Sequence, residues 1–404
     1  MKLTFIAILT LASISVLGFQ EQTTPSKPSP NRGMIIDANK LIKEYHSGIS
    51  PANNVVKVIY FHGNDQDPLN NWKERLTRSL DDVSDFYREE FARSGVDIKG
   101  VPFEKANGQY VFHLVKGDSV SKYYTIQSGP IIIKEIVSKN SGIINPSKDY
   151  VLVINGLCDK RNDGTYVFHS PYFGMSSGNS GICLVADCEL LDSKFLNDKT
   201  QRMAFSEMMI KYKECTVAEF NSWYVGGIAH EMAHIFGLPH DFGSPIELDN
   251  HTISLMGQYG SRHFRDYLWN GEKSAIFSSA SIIQLISHPV FTNSNKNRTL
   301  RPNTLLSNLI FDRTDSGIIL RAQLKTDINP YAVIALIHPA QLTEYFNQSY
   351  SSLVSKSDTI SLKLGILAKG DYNLQLLFVY LNGANIRFNR VITVDNDKLV
   401  KVKI

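Results

Sequence analysis

Gly226-Gly-Ile-Ala-His230-Glu231-Met-Ala-His234-Ile-Phe-Gly237-Leu-Pro-His240-Asp241 is the stretch on which the reading of this chain turns. His230 and His234 are four residues apart, so on a helix they stand on one face, about 6 Å apart along the axis. Both imidazoles can then reach a single ion. Gly237 allows a sharp left-handed turn out of the helix at little cost, and that turn brings His240 back under the same ion. Three neutral imidazoles leave one tetrahedral position open for water, as a catalytic zinc requires. Glu231 sits beside the first ligand, placed as a general base that takes a proton from that water and passes it to a leaving group. Five fixed positions at this spacing arise by chance in roughly one chain of this length in ten thousand.

The flanks support a helix here. Thr216-Val-Ala-Glu219 has the form of a capping box, with a hydroxyl at the N-cap and a Glu three residues on. The helix is therefore expected to run from there to Ile235 or Phe236, with Gly237 as its C-cap. Upstream, Val55–Phe61 reads as a strand. Trp72, Leu76, Leu80, Val83, Tyr87 and Phe91 line one face of a helix over 71–94, by their spacing of three and four. Gln109–Lys116, Ile131–Val137, Tyr150–Asn155 and Ile182–Leu191 are expected as strands. Gly174-Met-Ser-Ser-Gly-Asn-Ser-Gly181 is expected as a loop, and 201–213 and 273–287 as helices. A polar stretch at 293–301 looks like a linker. Beyond it only short strands are expected, at 318–325, 332–338, 359–364, 372–381, 384–394 and 398–404, the pattern of a β-sandwich.

The ends and composition bound the rest. Lys2 precedes an uncharged apolar run to Gly18, with Val16 and Gly18 spaced as a cleavage pair, the form of a secretory signal peptide. Residues 19–53 read as a linker or short pro-segment. The expected organisation is thus 1–18 signal peptide, 19–53 linker, a zinc-site domain over 54–292 and a β-sandwich over 300–404, with the mature protein secreted, periplasmic or on the cell surface. No segment after residue 18 is long and apolar enough to span a bilayer. A net charge of +3 is too small to argue for nucleic acid. Cys158, Cys183, Cys188 and Cys215 could form up to two disulfides, in three connectivities, or remain buried thiols. Oligomeric state is not legible.

The motif together with Asp241 resembles the metzincin clan of zinc peptidases. That clan has a methionine-containing turn a short way downstream, and Ser254-Leu-Met-Gly257 stands in that place. The resemblance implies that Met256 forms an apolar floor under the imidazoles, although a lone Met is also ordinary core. It implies an outer-shell or structural role for Asp241. Some members use a Tyr two residues after the Met as an extra ligand. Here that position is Gln258, and Tyr259 follows it. Arg75-Leu, Asp85-Phe-Tyr87 and Cys183-Leu-Val-Ala-Asp-Cys-Glu-Leu190 are similar to an uncharacterised group of secreted metzincin-like peptidases. The resemblance covers roughly residues 55 to 290. It implies an α+β catalytic domain, a twisted mixed sheet above the active-site helix, whose edge strand borders the cleft; that strand is expected at Ile182–Leu190. A peptide could add to such an edge by main-chain pairing.

The function expected is a zinc endopeptidase acting on protein or peptide, with glycoproteins as a narrower substrate class. The alternative is an adhesin or carbohydrate-binding protein whose β domain carries the function and whose zinc is structural. Glu231 weighs against that, because a structural site needs no base. The absence of Trp after Trp269 weighs against a tryptophan-built sugar site; Tyr331, Tyr345, Tyr350, Tyr372 and Tyr380 could stack on one, although sandwich core is the stronger reading of them. His62, His113, His169, His251, His263, His288 and His338 have no ligand partner at motif spacing.

Overall fold

The computed structural model describes residues 27–403 apart from 140–141, 208–211, 250, 355–357 and 396–399. The expected signal peptide lies outside the described residues. The chain is a mixed α/β protein. Its first sheet holds β1 (Val56–His62), β2 (Phe112–Lys116), β3 (Tyr150–Asn155), β4 (Phe173–Ser176) and β5 (Gly181–Ala186), in the spatial order β2-β1-β3-β5-β4. All are parallel except the edge strand β4, which pairs antiparallel with β5. Successive residues of β1 and β3 point to opposite faces, and both faces are covered. Val58, Tyr60, Leu152 and Ile154 enter one core; Ile59, Phe61, Val151 and Val153 enter a second. Burial on both faces explains why these strands read as unbroken apolar runs.

Among the described residues six α-helices accompany this sheet: α1 (Arg32–Tyr45), α2 (Trp72–Arg93), α3 (Gly129–Lys139), α4 (Val217–Ile235), α5 (Ser279–Ile286) and the single turn α6 (Pro289–Thr292), capped by His288. A buried ion pair ties α2 to the end of β5. Arg75 reaches both carboxylate oxygens of Asp187, at 2.8 and 3.0 Å, and the carbonyls of Cys188 and Leu191. Tyr60 donates to the same carboxylate. All four cysteines are buried free thiols.

Several elements differ from expectation. The edge of the sheet is β4, drawn from the stretch expected as a loop, whereas Ile182–Leu190, expected as the edge, begins as the interior strand β5. The glycines that suggested a loop are needed for packing instead: any side chain at Gly181 would strike Ile235 of α4. The expected strand Ile131–Val137 is helix α3. Its β-branched run favoured a strand locally, but Gly129, Ile132 and Ile136 share a buried helical face. The helix expected over 201–213 is a strand, Arg202–Ser206, pairing with Lys213–Thr216. Within 19–53, expected as linker or pro-segment, α1 places Ile35, Ala38 and Ile42 in the core.

The C-terminal part is antiparallel. Its strands are β6 (Thr304–Thr314), β7 (Gly317–Thr326), β8 (Ala332–Pro339), β9 (Gln348–Leu353), β10 (Thr359–Leu364), β11 (Gly370–Val379), β12 (Asn385–Val394) and β13 (Val400–Lys403). They form one sheet β6-β7-β10 and another β9-β8-β11-β12-β13. The inner faces share a core that includes Leu320, Leu362, Ala335 and Leu376. The other face of the five-stranded sheet is also partly buried. Ala332, Ile334, Leu336, Leu377 and Val379 belong to the same core as α4 and the first sheet, and the Tyr331 hydroxyl donates to the Ile283 carbonyl on α5.

Candidate metal centre

Helix α4 starts where the Thr216 hydroxyl accepts the Glu219 amide, at 3.1 Å. The Glu219 carboxylate pairs with Lys213 and Arg262 rather than closing the box. The helix ends at Gly237, whose φ of 87° is left-handed, with amides 237 and 238 bonding back to the carbonyls of His234 and Ala233. Almost every position of α4 is buried. Its glycines meet neighbours directly: Gly226 faces the Ser261 carbonyl and Gly227 the Tyr172 hydroxyl.

The turn at Gly237 brings His240 to the two helix histidines. The ligand atoms of His230, His234 and His240 all lie within 4.8 Å of one another, and the Nε2 atoms of His234 and His240 are 3.2 Å apart. Each ring is held from behind. Nδ1 of His230 lies 2.8 Å from the Leu255 carbonyl, Nδ1 of His234 lies 2.8 Å from the Leu238 carbonyl, and Nδ1 of His240 lies 3.1 Å from a Glu344 carboxylate oxygen. Carbonyl and carboxylate oxygens only accept, so the protons sit on Nδ1 and the Nε2 lone pairs face one point. Two lone pairs 3.2 Å apart repel unless a cation lies between them. Burial, with the neighbouring imidazoles adding to it, lowers the pKa of His230 to about 3; burial lowers that of His234 to about 4 and that of His240 as well. All three are therefore neutral ligands near pH 7. This donor set fits zinc.

Glu231, next to His230, is half-buried, and desolvation by the surrounding protein raises its pKa to about 8, in the range suited to taking and returning a proton. Met256 is fully buried next to Leu255, and its carbonyl accepts the Asp241 amide at 3.1 Å. The buried Asp241 carboxylate accepts from the Gly243 amide and the hydroxyls of Ser278 and Ser281, fastening the third-ligand loop to the start of α5. Tyr259 is 59% exposed, with its ring against Arg262. The tyrosine ring that meets the triad is Tyr345, stacked on His240 with centroids 3.6 Å apart. Asn347 donates to the His240 carbonyl at 3.1 Å, and Arg387 to that of Gly237 at 3.1 Å. Glu344, Tyr345, Asn347 and Arg387 come from the C-terminal part, far beyond the motif in sequence, and no local pattern marks Glu344, Asn347 or Arg387 as site residues.

Gly174 of β4 packs on the Glu231 carbonyl and the His234 Cβ of α4, so the free edge of the sheet passes the turn of α4 that carries the site residues. A cavity opens at each end of β4. One of about 1080 Å³ adjoins Ser176, His240 and the C-terminal sheet. Another of about 520 Å³ adjoins Tyr172, with Phe168, Trp223, Tyr224 and the Glu207 carboxyl on its walls.

No family model and no curated protein matches the chain. Among solved structures it is similar to OgpA from Akkermansia muciniphila. A catalytically inactive OgpA in complex with an O-glycopeptide (glycodrosocin) substrate aligns with a TM-score of 0.69 at 18% identity, over 88% of this chain and 97% of that one. Two crystal forms of wild-type OgpA align at 0.68 and 18%, with the same coverage. The likeness spans both parts of the chain and is one of fold.

Proposed function

We propose that this chain is an exported zinc endopeptidase of the metzincin type, acting on O-glycosylated peptide. The observation that carries the reading is the convergence of three neutral imidazoles beside a half-buried, desolvated carboxyl, under an unpaired strand edge. When bound, zinc supplies a Lewis acid that acidifies water and polarises the scissile carbonyl. The chain's own groups do the rest. His230, His234 and His240 hold the ion. The edge of β4 aligns an extended peptide by main-chain bonds. Glu231 takes the proton of the attacking water and returns it to the departing amine. Met256 lies under the site as apolar packing, and Asp241 fixes the third-ligand loop.

The glycopeptide part of the reading rests on two observations: the fold of a protein that holds an O-glycopeptide substrate, and the aromatic cavity beside Tyr172. Aromatic rings with a few placed polar groups suit a sugar attached to a peptide in the cleft. Export rests on residues 1–18. The test is incubation of the mature protein with matched peptides and O-glycopeptides, reading new termini by mass spectrometry. Glu231→Gln should keep its zinc and lose about 10²–10⁴-fold in rate. Equal cleavage by that variant would remove Glu231 from the mechanism, and cleavage unaffected by a chelator would remove the metal.

A further inference from the structure

We propose that the large cavity beside His240 is a recognition subsite for a carboxylate on the substrate, anchored by Arg387. The inference rests on the peptidase reading, because it takes this cavity to be part of the substrate cleft. One wall is the outer face of the five-stranded sheet. Where that face packs on α4 and α5 it is apolar, with Ile334, Leu336 and Leu377 in the shared core. Farther along, where it passes the imidazoles, the positions of the same face are His338, Asn373, Gln375, Arg387 and Asn389. Sheet pairing alone does not require this change.

On this face the cavity carries one guanidinium, Arg387, and one carboxylate, Glu344, and Glu344 is already engaged with His240. Arg387 makes no ion pair among the described residues; its bond is to the neutral Gly237 carbonyl. Arg387 is exposed, on the rim of the cavity, and the protein atoms packed around its stem still desolvate it enough to lower its pKa. A guanidinium in that setting has unused donors in a fork that matches a carboxylate. The surrounding amides are already oriented: Asn373 bonds His338 at 3.1 Å, and Gln375 donates to Asn389 at 2.9 Å.

An extended peptide adding antiparallel to β4, the slightly more stable pairing, passes Ser176 with its N-terminal half. The carboxylate should therefore lie N-terminal to the scissile bond. An Asp or Glu side chain and an acidic sugar both present this group.

The test uses zinc-loaded Glu231→Gln protein, so that ligands are bound and not consumed. Calorimetry at low salt would compare a neutral O-glycopeptide, the same peptide with Asp placed two to four residues before the glycosylated residue, and the same peptide with a second, sialylated glycan at that upstream position. At least one acidic ligand should bind about tenfold more tightly than the neutral one. Whichever does so identifies the source of the carboxylate. Added Arg387→Ala should erase the preference with zinc content unchanged, and Arg387→Lys should retain part of it. If Arg387→Ala loses its zinc or its fold, Arg387→Gln is read in its place. Acidic ligands that bind no better than the neutral one, or a preference that survives loss of the guanidinium, would overturn the subsite. Cleavage by the parent chain without any acid preference would sink the subsite alone. An Arg387-dependent preference in a chain that never cleaves would sink the peptidase reading alone.

Discussion

Two imidazoles of the triad donate through Nδ1 to backbone carbonyls and the third to a side chain. The carbonyls of Leu255 and Leu238 are set by the fold, whereas Glu344 can be changed. A carboxylate behind a ligating histidine fixes its ring and raises its basicity. Glu344→Gln should thus weaken zinc binding about 10–100-fold, measured by competition with a chromophoric chelator, with thermal stability of the metal-free protein unchanged. Another single residue sets an acid limit. His288 is buried against Tyr150 and Phe236, its Nδ1 accepts the Val290 amide, and its Nε2 has no partner among the described residues. Burial lowers its pKa from 6.5 to about 3. Between those values the unfolded chain binds a proton that the folded chain refuses, so stability falls as pH falls through this window, by about 1.4 kcal/mol per pH unit. His288→Asn keeps an N-cap acceptor and should flatten that slope. Denaturant melts at pH 7 and pH 5 would show it, and parallel slopes in parent and variant would contradict it.

Among the elements, α4 was legible and β4 was not. The N-cap hydroxyl, the histidine spacing and Gly237 all lie within the one continuous stretch 216–237, so local chemistry decides α4. By contrast, β4 is only four residues long, its Gly174 is required by the close approach to α4, and it runs straight into the glycine- and serine-rich turn before β5, so no alternating apolar run announces it. For α3 the error ran the other way: three isoleucines in a row carry strand propensity, and only the tertiary contacts of Gly129, Ile132 and Ile136 select a helix. Tight packing between α4 and the start of β4 has a measurable consequence. A Cβ at Gly227 would meet the Tyr172 hydroxyl and, at 2.9 Å, its ring. Alanine would gain about 1 kcal/mol of helix propensity. Overpacking against a ring fixed by its bond to the Tyr224 carbonyl should cost about 1–3 kcal/mol, and the loss should win. Gly227→Ala is therefore expected to lower the denaturation midpoint; a raised midpoint would show that Tyr172 moves freely.

For the molecule as a whole, the break expected near residue 300 does not separate two independent cores. The outer face of the five-stranded sheet completes the core around α4 and α5, and the turn at 343–347 reaches the third ligand. A chain ended before residue 300 should expose that core and bind zinc far more weakly than the parent; circular dichroism and metal titration would check both. The half of the metal centre built on α4 was readable because its residues are consecutive on one helix. Glu344, Tyr345 and Asn347 were not, because only the packing of one sheet on another brings them to His240.

The most direct measurement pairs metal content with cleavage. The purified mature protein, its Glu231→Gln variant and a chelated control would be given the same pool of peptides and O-glycopeptides, with new termini read by mass spectrometry. The account predicts one bound zinc in the parent and in the variant, and cuts in the parent alone. Cuts that persist in Glu231→Gln or after zinc removal, or a zinc-loaded parent that leaves every peptide and glycopeptide intact, would contradict it.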